Sequence, residues 1–209
     1  MKNFLRIVLV SCLLIIAANV QAQMKFGPVA GVNFSKMTLI YGGISIDPQM
    51  LVGFHLGGLA EIPLSDNFVL QPAILYSAKG SSYSLDIGEA TYEMSMGPNF
   101  IEVPIYFAYK FELESMKLFL KAGPYGAYAV GGQGKADDEE DWDLEFGEGE
   151  DKDMKPLDFG LGVGGGVDFN NLIISLQYEF GLTNLAPVDD AEMKISVFSI
   201  SIGYLFGGK

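Results

Sequence analysis

From residue 25 onward, apolar and polar positions take turns in runs of ten to fifteen residues. The clearest run is Leu172 to Leu182. Leu172, Ile174, Leu176, Tyr178, Phe180 and Leu182 share one parity, and Ile173, Ser175, Gln177, Glu179 and Gly181 the other. Successive side chains of a β-strand point to opposite faces, so a period of two predicts a two-faced strand. Phe159, Leu161, Val163 and Val167 alternate likewise with Asp158, Gly160, Gly162 and Gly166. Phe198, Ile200, Ile202, Tyr204 and Phe206 alternate with Val197, Ser199, Ser201, Gly203 and Leu205. Ile101 to Phe111 sets Ile101, Val103, Ile105, Phe107 and Tyr109 against Glu102, Pro104, Tyr106, Ala108 and Lys110. Noisier runs that keep the parity start near Phe26, Phe54, Phe68 and Leu118, which makes eight predicted strands.

Connections between the runs alternate in length. Short ones fall at Leu64 to Asn67, Leu113 to Met116 and Asn170-Asn171. Longer polar or Gly-rich ones fall at about 37–50, 80–98, 132–156 and 184–192. Short turns at one end and long loops at the other predict an all-β fold, an antiparallel up-and-down transmembrane barrel with its short turns in the periplasm. A soluble barrel would alternate in the opposite sense, with its apolar face inward. The polar face here is mostly Gly, Ser and Ala with isolated charges, which suits the cramped interior of eight strands. The apolar face carries no lysine or arginine, each of which would cost roughly 2–4 kcal/mol at the bilayer midplane. Phe26, Tyr109, Phe111, Tyr178, Phe180, Tyr204 and Phe206 fall near strand ends, where aromatic belts sit at the headgroups.

The N-terminus predicts export. Lys2 and Arg6 precede an apolar stretch from Ile7 to Ala18, and Val20-Gln21-Ala22 offers a cleavage site. Residues 1–22 are therefore expected to be a signal peptide and residues 23–209 the barrel. The stretch is shorter than the ~20 residues of a membrane-spanning helix. Cys12, the one cysteine, lies inside it, so the mature chain is expected to hold no disulfide or thiolate site. A lipobox reading of Leu9 to Cys12 is disfavoured because the apolar run continues past the cysteine. The net charge of −13 excludes nucleic acid as a partner, since that binding depends on cations at the phosphates. Most of the acidic excess sits in residues 137–153, so it describes a loop and not the fold.

Three runs carry a family resemblance: Phe26 to Ser35 (FGPVAGVNFS), Phe100 to Pro104 (FIEVP) and Ala122 to Tyr125 (AGPY). They resemble the PorT-like small outer-membrane barrels of Bacteroidetes, eight-stranded like the OmpX and OmpA barrels. The resemblance spans the mature chain. It implies an outer-membrane location and an architecture, and it carries over no catalytic residue.

Candidate chemistry is sparse. Lys25, Glu61, Lys79, Glu102, Lys110, Lys121, Asp158, Asp168 and Glu179 face the lumen by parity. They predict either a polar path for solutes or a plug of paired charges, for example Glu102 with Lys121, and the plug is the expectation. His55, the one histidine, also faces inward. A barrel hydrolase would pair it with a serine and a carboxylate, but Phe54-His55-Leu56-Gly57 has no serine beside it. Asp141, Asp143 and Glu145 have the spacing of a calcium loop, yet Phe146 and Lys152 stand where an EF-hand needs Gly and Glu. A solvated acidic loop is the simpler expectation, with weak Ca2+ binding as the alternative. No P-loop, HExxH or GxSxG pattern is present. The sequence thus predicts a non-enzymatic barrel in outer-membrane lipid that displays loops for binding or for attachment to an envelope protein. A narrow pore is the alternative, and a lipid-modifying enzyme stands behind both.

Overall fold

The computed structural model describes residues 24–46, 48–87, 90–136 and 140–208. The predicted signal peptide with Cys12, and Asp137 to Glu139 of the acidic run, lie outside the described residues. Eight long strands form the body: β1 (Lys25–Tyr41), β2 (Gln49–Pro63), β3 (Phe68–Ala78), β4 (Ala90–Glu112), β5 (Lys117–Ala136), β6 (Leu157–Phe169), β7 (Leu172–Gly181) and β8 (Ala191–Tyr204). Each pairs antiparallel with the next in sequence. Strand β1 also pairs with β8, from Val29↔Gly203 to Tyr41↔Ala191, so the sheet closes on itself. Closure leaves no edge in the membrane, where an unpaired backbone group would find no water.

The parity predicted from sequence matches the burial. Phe54, Leu56, Ile74, Phe107, Leu120, Phe159 and Ile202 point outward, while Asn33, Glu61, Gln71, Tyr106, Asp158 and Glu179 are buried inside. Outward aromatics gather in two rings. Phe68, Tyr109, Phe111, Tyr204 and Phe206 pack near the short turns, with centroids 4.8–5.0 Å apart within the contacting pairs. Phe54 with Tyr76, and Tyr178 with Phe180, mark the other rim.

The short turns are built as hairpins. Asn170 and Asn171 both have positive φ, 50° and 80°. Such a turn matches the right-handed twist of the strands it joins, and asparagine tolerates it better than most residues. The long connections differ from the sequence expectation. Strand β1 continues to Tyr41 and folds back through Ile44–Ile46, and Ser81–Ile87 pairs with the start of β4. Much of the predicted loop 37–50 and 80–98 is thus sheet rising above the membrane. One face of these extensions stays buried at Met37, Ser81, Tyr83 and Met96, and the serines and glycines mixed among their apolar residues obscure the period in the sequence.

Candidate functional site

Charges drawn from five different strands and strand ends converge in the lumen. Near the short turns, Lys110 on β4 lies 2.6 Å from Glu61 of β2 and 2.8 Å from Asp168 of β6. Gln71 donates to the second Glu61 oxygen at 3.0 Å. A layer of Val69, Ala108, Phe119, Ile173 and Leu205 packs in the same half of the barrel. Higher up, Lys79, just past β3, forms ion pairs with Glu102 of β4 and, at 3.1 Å, with Glu179 of β7. Tyr106 and Gln177 also donate to Glu179, at 2.9 and 2.8 Å. Tyr125 donates to Asp158 at 3.0 Å, and its ring lies 4.9 Å from the Lys79 ammonium.

The predicted partnership of Glu102 with Lys121 does not form. Register places Glu102 opposite Ala127 and Lys121 opposite Ala108, roughly 20 Å apart along the strand at ~3.4 Å per residue. Lys121 instead lies over the Tyr106 ring, 5.0 Å from its centroid. Lys25 sits at the short-turn mouth and donates to Asn171 at 3.0 Å.

Glycine makes the crowding possible. A Cβ at Gly162 would stand 2.3 Å from the Tyr106 hydroxyl, and one at Gly160 2.5 Å from the Tyr125 ring. A Cβ at Gly31 would stand 2.4 Å from the His55 imidazole. The glycine face of β6 is therefore the bed on which the lumen aromatics lie.

His55 has the serine that its local sequence lacks. Ser201 arrives from β8, its Oγ 2.9 Å from Nε2, and Asn33 Oδ1 lies 2.8 Å from Nδ1. Asn33 donates through Nδ2 to the Phe54 and Ala78 carbonyls and to Ser77, so its Oδ1 must accept. That assigns the imidazole proton to Nδ1 and leaves Nε2 to accept from Ser201. The polarity is that of a nucleophile, base and orienting group. The adjoining cavity, however, measures about 40 Å3 between His55, Gln71, Tyr106, Lys121 and Ser201. A water needs roughly 10–15 Å3, so a few waters fit and an acyl group does not.

The outer mouth is closed by an apolar cap. Met37, Phe100, Ile195 and Val197 from the strands pack with Met154 of the β5–β6 loop and Leu185 of the β7–β8 loop, all of them buried. Phe146 and Val188 pack against them. The loops lock together through Lys155 N–H to the Leu185 carbonyl, 2.8 Å, and Gly149 N–H to the Pro187 carbonyl, 3.1 Å. This corrects the expectation of a solvated acidic loop. Its described acidic residues from Glu140 to Glu150 face water, while Leu144 is buried and Phe146 and Met154 pack into the cap.

Nor does the loop gather Asp141, Asp143 and Glu145 as metal ligands. Asp141 pairs with Lys135 at 2.6 Å and Glu145 with Lys152 at 2.7 Å. Asp143 sits in a two-residue strand on β5. Among the described residues no group of three or more metal-binding side chains converges.

A closed antiparallel ring of eight strands, apolar outside and ion-paired inside, defines a transmembrane β-barrel. The chain belongs to the outer membrane protein beta-barrel domain family, which it matches over residues 19–186, and it is a protein of the outer membrane. No curated protein matches it significantly. Among solved structures it is similar to the attachment invasion locus protein Ail of Yersinia pestis, crystallised with the heparin analogue sucrose octasulfate. Identity there is 13%, the TM-score 0.41, and coverage 88% of this chain and 99% of that one. It is also similar to Neisserial surface protein A (15%, TM-score 0.40, 86% and 97%). A third such structure is the N-terminal barrel of Pseudomonas aeruginosa OprF (11%, TM-score 0.36, 84% and 97%).

Proposed function

We propose that the protein is a non-enzymatic barrel that anchors and displays its extracellular β-extensions and loops to a partner protein of the envelope. The observation that carries this reading is the filled lumen. Two buried ion-pair clusters, an apolar layer and an apolar cap occupy the axis, and the cavity between them has room for a few waters. With the lumen filled in this way by the described residues, the surface left to act is the outer rim. Glu148, Glu150, Asp189 and Asp190 line a recess there beside Tyr41, which favours a partner with a basic surface. The reading includes export with cleavage after Ala22 and kinship with the PorT-like barrels, both supported by the sequence runs described above.

The test is a pull-down from native envelopes with the intact barrel and with one whose residues 140–154 and 184–190 are replaced by Gly-Ser linkers. A protein captured by the first and missed by the second is expected. Equal capture by both would refute loop display. Pure protein in planar bilayers is expected to give no steady current, and single-channel steps would favour the pore instead.

A further inference from the structure

We propose that a groove in the outer wall, floored by Gly165 and Gly166, holds one acyl chain of a phospholipid in the periplasmic leaflet. The alternation of β6 places Leu161, Val163, Gly165 and Val167 on the lipid side, so Gly165 leaves a gap in an otherwise branched aliphatic row. Its two cross-strand partners are Leu120 on β5 and Leu176 on β7, both exposed. Two leucines therefore stand on either side of bare backbone. Phe111 and Leu118 complete the walls of an open depression of about 560 Å3.

Three observations select the occupant. The lining holds no polar side chain, and ladder pairing engages the strands that form the floor, so nothing offers hydrogen bonds to a polar ligand. The groove is continuous with the lipid-facing wall, and hydrocarbon is the medium on every side of it. Phe111 and Leu118 flank the turn Leu113 to Met116, which puts the groove in the half of the bilayer next to the periplasm, the phospholipid side of an outer membrane. A methylene chain lying between the leucines gains close contacts along both walls, which a disordered annular lipid makes only in part. Tight packing between two membrane proteins more often joins small or polar residues, and here leucines ring the opening.

The experiment is native mass spectrometry of the barrel after reconstitution with phosphatidylethanolamine and lipopolysaccharide and extraction in mild detergent. Leu176→Trp fills the groove from one wall, and Leu120→Trp from the other. Ile74→Trp adds the same bulk at a lipid-facing position far from the groove. Gly165→Leu is a poorer probe, because its Cβ would land 2.8 Å from the Phe119 carbonyl. Wild type and Ile74→Trp are expected to retain one phosphatidylethanolamine that both groove variants lose, with heat-modifiable migration showing that each barrel is folded. Equal retention in all four would overturn the proposal. So would retained lipopolysaccharide in place of phosphatidylethanolamine, or a dimer that the groove variants abolish. None of these outcomes bears on loop display, which reads a different surface.

Discussion

At the scale of single residues, the lumen works by mutual dependence. His55 gives Asn33 a donor and Ser201 an acceptor, all three buried. His55→Ala is expected to lower stability by about 1–3 kcal/mol, the cost of stranding buried polar partners, read as urea unfolding in detergent micelles. Lys79 forms ion pairs with both Glu102 and Glu179. Lys79→Met should cost about 3–5 kcal/mol, and adding Glu102→Gln and Glu179→Gln should recover much of it, because the unpaired charge does the damage. If the single and triple variants unfold alike, pairing is not what Lys79 supplies. Gly162→Leu should prevent the native fold, because the added carbons coincide with the Tyr106 hydroxyl and ring. The sequence identified all of these residues as inward-facing by parity. It could not say that Glu102 would meet Lys79 and not Lys121, because pairing depends on stagger between strands, and alternation carries no information about stagger.

At the scale of elements, turns and loops divide the work. The β4–β5 turn is pinned by Glu112 and Lys117, 2.6 Å apart and exposed. Their hydrogen bond holds the Glu112 carboxyl below its ordinary value near 4.5 and the Lys117 ammonium above its own near 10.5. A depressed acid contributes above its ordinary value and loses that contribution as pH falls through the lowered one. A raised base contributes below its ordinary value and loses it as pH rises through the raised one. The turn should therefore be most protected between these limits. Protection of the Leu113 to Met116 amides, taken relative to their intrinsic exchange rates, should fall in acid below the ordinary carboxylate range, and Glu112→Gln should remove that dependence. High salt should weaken it, since the pair is exposed. The β5–β6 loop obeys a different logic, with Glu140, Asp141, Asp143 and Glu145 in water and Phe146 and Met154 in the cap. Calcium calorimetry is expected to give the same heats with and without residues 140–153, because Lys135 and Lys152 already occupy Asp141 and Glu145. A binding isotherm lost with the loop would contradict this. The alternation of Trp142, Leu144 and Phe146 with acids was visible in the sequence. Its meaning was hidden because the apolar cluster that Phe146 meets is assembled from β1, β4, β5, β8 and the β7–β8 loop.

At the scale of the whole molecule, the barrel is closed at several levels in series. Removing the cap by replacing residues 140–154 with a short linker should leave the bilayer current at baseline. Below the cap the Lys79 and Lys110 clusters still fill the axis. Steady conduction by that variant would make the cap the gate and weaken the reading of a filled cylinder.

The eight-strand count, the side of each strand that meets lipid, the short turns and the outer-membrane destination all follow from the chain by itself. They rest on a period of two, turn chemistry and the cost of charge in hydrocarbon, each of which is local. Tertiary structure decided which lumen charges pair, that Ser201 reaches His55, that an acidic loop folds down as an apolar cap, and that two leucines flank Gly165. Those depend on strand register and ring closure, which bring together residues as far as 146 positions apart, and no local pattern encodes such pairings.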